Sequence, residues 1–244
     1  MAEELGKIER PSVDEFMEGR KLYFVPLVFA PRELEADLSE RVDRYWDQVE
    51  AHLASLEGKL GGVKRVYHEL VTAGGQDGAK VIEELNQGSY KIARSRLEKG
   101  AELQAMEDRE LLAEFMDWGK CLAIGLESHK ALTAVYEFYR EAMRKRNEFM
   151  AKQINETLKS GETAILLMRE GHQVQFPSDI QVFYVAPPAL DELKRWLRER
   201  EAEAHKEHEA RPIRKRRQTP AEKRQRLARN MRRRSEEAGR WASD

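Results

Sequence analysis

Four short apolar runs, separated by long stretches of helical period, set out the plan of the chain. The runs are KLYFVPLVF (21–29), VKRVYHELV (63–71), TAILLMR (163–169) and DIQVFYVA (179–186). Each is rich in β-branched or other apolar residues and is bounded by Gly, Pro or charged positions, which predicts strands near 22–29, 63–71, 163–169 and 180–186. Pro26 lies inside the first run and cannot donate to a ladder, so it marks an edge, a bulge or the strand's end. Between the first two runs, Leu34, Leu38, Val42, Trp46, Val49, Leu53, Leu56 and Leu60 recur at spacings of three and four. That spacing predicts a helix, which Gly61-Gly62 stops. Gly74, Gly75 and Gly78 mark a turn. From Ala79 to Lys159 the period is helical, with breaks near Gly88, Gly100 and Gly125, which suits three or four helices. Pro187-Pro188 opens one more helix. Thr219, Pro220 and Glu222 then form a capping-box start for a last one.

Strands joined by long helices predict an α/β fold: a small, mostly parallel sheet with a helical insertion between its second and third strands, and a basic C-terminal helical tail. The expected organisation is an N-terminal extension (1–20), an α/β domain (21–210, with 79–159 as the insertion) and a tail (211–244).

Composition adds a partner question. The chain has 244 residues, 36% of them charged, and a net charge of only −1. That near-balance hides a segregation. Residues 211–244 carry 13 Lys/Arg and 4 Asp/Glu, a net of +9, whereas residues 1–210 carry a net of −10. The tail's cations include Arg214, Lys215, Arg216, Arg217, Lys223, Arg224, Arg226, Arg229, Arg232, Arg233 and Arg234. Charge separated in this way points to nucleic acid or another polyanion, or to docking of the tail on its own acidic body. Trp241 is the only aromatic residue beyond the arginines, which argues against base stacking and sequence-specific reading. A single cysteine, Cys121, excludes an internal disulfide framework and a Cys-cluster zinc site, and a reducing, cytoplasmic location is expected. The start MAEELGKIER is charged throughout and lacks a signal pattern. The longest apolar run, Leu22 to Ala30, is too short to span a bilayer, so no membrane partner is expected.

Few residues are candidates for chemistry. AGGQDGAK lacks both the P-loop and the dinucleotide spacing and reads as a turn. Cys121 lies in a helical stretch and reads as a packed thiol rather than a nucleophile. His205 and His208 sit among Glu and Lys on a solvated helix. His68 and Glu69 fall near the end of the second strand and His172 just past the third, where open parallel sheets place ligands. Neighbours in a strand point to opposite faces, so at most one of His68 and Glu69 enters a given site. The plain alternative makes both half-buried residues of the rim.

The segment RKRNEFMAKQINETLKSGETAILLMREGHQV (144–174) resembles the C-terminal core of the TraB/GumN/TIKI superfamily, which includes erythromycin-esterase-like and ChaN-like branches. That core has an Arg-Asn-x-x-(apolar)-Ala helix, a Gly-containing turn, an apolar strand and a strand-end motif finishing in histidine, and the likeness covers residues 20–190. It implies that Glu69 matches the second-strand glutamate, Arg146 and Asn147 the helix pair, and His172 the second histidine. In TIKI-like members such groups are associated with metal-dependent peptide hydrolysis. This chain departs from the pattern where the first motif's histidine should stand, with Pro26, Leu27, Val28 and Phe29. It departs again at Arg169, where the second motif's first glycine is expected. A fixed guanidinium there raises the cost of binding a dication.

Three readings follow. The preferred one is an altered, non-catalytic domain that acts by binding, with no cofactor expected and with Asn147, Arg169 and His68 as anion-binding or supporting residues. The alternative is a hydrolase of the peptidase or esterase class that uses a divalent metal with Glu69, Arg146 and His172, recruiting Arg169, Glu170 or His68. The third is a scaffold whose helical insertion, with Trp118, Phe138 and Tyr139, mediates homodimerisation, as Trp46 on the first helix also would.

Overall fold

A computed structural model describes residues 19–29 and 36–210. Its elements are β1 (Arg20–Pro26), α1 (Ala36–Leu60), β2 (Val63–His68), α2 (Gly75–Leu85), α3 (Gln87–Leu97), β3 (Glu102–Leu103), α4 (Arg109–Ala123), α5 (His129–Thr157), β4 (Thr163–Met168), β5 (Ile180–Tyr184) and α6 (Pro188–Ala210). The five strands form one sheet in the order β3-β2-β4-β1-β5, and every pairing is parallel. Among the described residues no helix is long and apolar enough to cross a membrane. The expected tail helix after Thr219 and the tail cations lie outside the described residues.

Strand composition tracks position in the sheet. In β4, TAILLM is buried at every residue, as a central parallel strand covered on both faces must be. Alternate residues supply two cores. Tyr23, Val25, Val66, Ile165 and Leu167 face one way, onto Val42, Tyr45, Val49 and Leu53 of α1, Ile92 of α3 and Leu190 and Leu193 of α6. Leu22, Phe24, Tyr67, Ala164, Leu166 and Met168 face the other way, onto Met150 and Ile154 of α5. The edge strand β5 alternates, leaving Val182 and Tyr184 exposed.

Each strand ends one to three residues before its apolar run does. Past Pro26, His68, Met168 and Tyr184 the chain leaves the ladder and turns over the carboxyl rim. Pro26 is the last residue of an interior strand, and its carbonyl accepts a hydrogen bond from the buried Tyr45 hydroxyl.

The insertion holds four helices and one strand that the sequence pattern does not announce. β3 is two residues long, too short for any alternation to register, yet it extends the sheet beyond β2. The break between α2 and α3 falls at Asn86, whose side chain accepts the Ser89 N–H at 3.0 Å as an N-cap. Gly88 instead lies inside α3, at a place where a Cβ would meet Trp46 Nε1 at 2.1 Å. Trp46 is only 5% exposed and has little room to yield. Gly88→Ala should therefore destabilise the protein by about 1–3 kcal/mol through overpacking, read as a lower urea midpoint. An unchanged midpoint would mean that the ring moves freely.

The chain divides into two compact units within α6, Met1–Arg195 and Trp196–Asp244. In the second unit the Arg200 guanidinium lies over the Trp196 ring, 5.1 Å from its centroid. Among the described residues every buried core residue belongs to the first.

Candidate functional site

Because all strands run in parallel, the residues that follow them collect on one rim. β2 and β4 are direct neighbours, with His68 opposite Leu167. Glu69 follows His68 by one position, and Arg169 follows Leu167 by two. Glu69 N–H donates to the Leu167 carbonyl at 2.9 Å, which holds the two chain ends together.

Four charged side chains meet at this place. Both Glu69 oxygens accept from Arg169: Nη2 donates to Oε1 at 2.8 Å, Nε donates to Oε2 at 3.1 Å, and the Arg169 backbone N–H donates to Oε2 at 2.9 Å. From the other side Arg146 on α5 donates Nη2 to Glu69 Oε1 at 3.2 Å. Arg146 also makes a two-pronged contact with Glu107, with Nε to Oε2 at 2.7 Å and Nη2 to Oε1. Glu107 comes from the loop after β3 and accepts the Leu70 N–H at 3.0 Å. Leu70 has φ +69°, a left-handed conformation that costs a leucine roughly 1–3 kcal/mol. The bond to Glu107 restrains that turn. Two aromatic rings complete the cluster: Phe115 sits 4.8 Å from the Arg146 guanidinium carbon, and Phe29 sits 5.9 Å from that of Arg169.

Glu69, Glu107 and Arg146 are buried, whereas the Arg169 side chain is 49% exposed. Burial alone would raise the Glu69 pKa. Hydrogen bonds from Arg169 and the Arg146 charge outweigh it and hold the carboxyl below its ordinary range. Burial likewise works against the charge on Arg146, and Glu107 and Glu69 more than restore it. The cluster is two anions and two cations with matched geometry.

Such an arrangement is a poor fit to a divalent ion. Both oxygens of Glu69 already accept from cations or a backbone amide, so a metal would have to displace Arg169 and bind beside Arg146. Among the described residues no group of three His, Cys, Asp or Glu is placed to hold one.

The remaining candidates lie apart from the cluster. Asn147 follows Arg146 by one helical step and lines a groove of about 1080 Å³ together with His172, Gln173 and Val174. The His172 ring packs edge-on against Phe24 at 4.9 Å and Phe176 at 5.7 Å. Its Nδ1 is buried without a hydrogen-bond partner among the described residues. Burial lowers its pKa, with the Glu69 charge pulling the other way, so the ring is held neutral. Glu170 binds Lys194 and accepts from the Tyr184 hydroxyl. Cys121 is half-buried on α4. The structure thus brings together Glu69, Arg146 and Arg169, and leaves His172 and Asn147 on a neighbouring groove. Glu107 had no signal in sequence, since nothing marks one acidic residue among those of AMEDRE as buried.

His68 and Glu69 are not half-buried rim residues. At 0% and 3% exposure, both are interior. His68 turns away from the cluster, with Nδ1 2.6 Å from the Glu69 carbonyl and Nε2 2.9 Å from the buried Ser89 hydroxyl. The carbonyl can only accept, so Nδ1 carries a proton. Burial pushes the His68 pKa down from 6.5 to about 4. The unfolded chain then binds this proton more readily than the folded one. Stability is therefore full above about pH 6.5 and falls as pH drops from there toward 4, by roughly 3 kcal/mol. Urea unfolding at stepped pH should show this slope, and His68→Gln should flatten it.

Compared with protein-family models, with curated proteins and with solved structures, the chain matches none.

Proposed function

We propose that the chain is an altered TraB/GumN/TIKI-like domain that acts by binding, and that its basic segment, residues 211–240, attaches it to nucleic acid or a similar polyanion. The observation that carries the non-catalytic half is the saturation of Glu69 by Arg169 and Arg146. A carboxylate in that state neither ligates a metal nor takes a proton from water. The rival reading, a metal-dependent hydrolase using Glu69, Arg146 and His172, needs that carboxylate free. The binding half rests on the 13 Lys/Arg of the last 34 residues set against an acidic remainder.

The test has two arms. Generic RNA is titrated with the full chain and with a chain ending at Ala210, which retains every core residue found buried among the described residues. The full chain should bind and the shortened chain should not; equal binding would remove the role given to 211–240. Elemental analysis of the purified full chain is the second arm, where a stoichiometric transition metal would overturn the non-catalytic reading.

A further inference from the structure

The hairpin formed by α4 and α5 stands out from the rest of the fold because it has so little interior. Capped by Asp108, whose side chain accepts the Glu110 and Leu111 N–H groups, α4 contains no buried residue. On α5 the first buried residue is Ala142, thirteen positions after its start at His129. Five of the eleven exposed large hydrophobics among the described residues fall on this hairpin: Met116, Ile124, Leu132, Tyr136 and Phe138.

The two helices hold each other through a seam of stacked rings, Phe115 on Tyr139 at 5.1 Å and Trp118 on Phe138 at 4.8 Å. An antiparallel pair needs an apolar arc of about 100° on each helix. At 3.6 residues per turn, the apolar positions of α5 from Phe138 round to Tyr136 cover roughly 160°. Apolar surface therefore continues past the seam, and Tyr136 and Phe138 remain 52% and 53% exposed on its flanks.

We propose that this hairpin is a self-association surface on which two copies of the chain dock, α4 of each against α5 of the other. Two arguments select a second copy as the occupant. The first is charge. α4 carries three carboxylates against two cations, whereas residues 129–145 of α5 carry four cations against two carboxylates. A two-fold axis sets the acidic helix of each copy on the basic helix of the other, so both favourable contacts form at once. The second is size. A helix of 15 residues is about 22 Å long and a two-helix layer about 20 Å wide, so the face offers roughly 400–500 Å² per copy. The total, about 800–1000 Å², lies at the low end for a specific contact and suits a weak, reversible dimer.

Sedimentation velocity on the full chain over about 1–300 µM tests this, with dissociation expected at about 10–100 µM. The weight-average mass should climb from monomer toward dimer. Leu132→Glu and Tyr136→Glu, at exposed positions outside the stacked rings of the seam, should keep the chain monomeric with an unchanged circular dichroism spectrum and unchanged RNA binding. A wild-type chain that stays monomeric throughout would overturn the proposal. So would a dimer that survives both substitutions, or one abolished only by ending the chain at Ala210. RNA binding reports on the basic segment alone, so loss of one proposal leaves the other standing.

Discussion

Replacing Arg146 by alanine is expected to cost about 3–5 kcal/mol of stability and to lower the melting temperature by roughly 10 °C. Removing a surface pair would cost about 1 kcal/mol or less. The difference lies in what is left behind. Without Arg146 the buried Glu107 keeps, among the described residues, only the Leu70 N–H as a hydrogen-bond partner, and an uncompensated charge stays in the interior. Phe115 also loses the guanidinium over its ring. Replacing the pair together, as Glu107→Met with Arg146→Met, should cost distinctly less, because no orphan charge remains and Arg169 still neutralises Glu69. Arg169→Ala should be milder than Arg146→Ala, since its side chain is half in solvent. Acid should act in the same direction as these changes. The folded-state pKa of Glu69 is depressed, so its contribution is present above the ordinary carboxylate range and is lost as pH falls through the folded value. Thermal unfolding of the four proteins, followed by circular dichroism, checks the order. A single Arg146→Ala within about 1 kcal/mol of the parent would show that the cluster is solvated and not a buried lock.

Affinity of the full chain for generic single-stranded RNA is expected to fall about 100-fold between 50 and 200 mM salt. Each neutralised phosphate on a single strand contributes about −0.7 to the slope of log K against log salt, and about five contacts give roughly −3.5. Thirteen cations in residues 211–240 can supply that many. The effect should be independent of sequence, because the segment contains no aromatic residue on which a base could stack. A chain ending at Ala210 carries a net charge of −10 and should repel the strand at every salt concentration. If the tail instead docks on the acidic body, its charges are masked and the salt response flattens. Fluorescence anisotropy at four salt concentrations distinguishes these outcomes.

The sequence by itself determined the element types and the sheet's composition. An unbroken apolar run such as TAILLM can be buried on both faces only in the middle of a parallel sheet, and that is where β4 lies. Residues recurring at three and four along 36–60 can bury one face only as a helix, and Gly61, at φ +110°, ends it where the spacing stops. These are properties of neighbours in the chain. Strand ends were less legible, because the apolar runs continue into the rim after the ladder hydrogen bonds have stopped. β3 was not legible at all: two residues carry no period, and only the presence of β2 beside them makes them a strand.

The candidate site divides in the same way. Position at a strand end marked out Glu69, and parallel topology then makes its nearness to Arg169 a consequence of local pattern. Arg146 and Arg169 were singled out only through an expected family resemblance, which no family model supports. The burial of Glu69 and the part played by Glu107 were decided by tertiary structure alone. Burial of a charge is favourable only when partners from elsewhere in the chain satisfy it, and here those partners are 39 to 100 residues away. His172 was visible as a strand-tip histidine. Whether it would join a carboxylate or an aromatic wall depended on Phe24 and Phe176, which the fold sets around its ring.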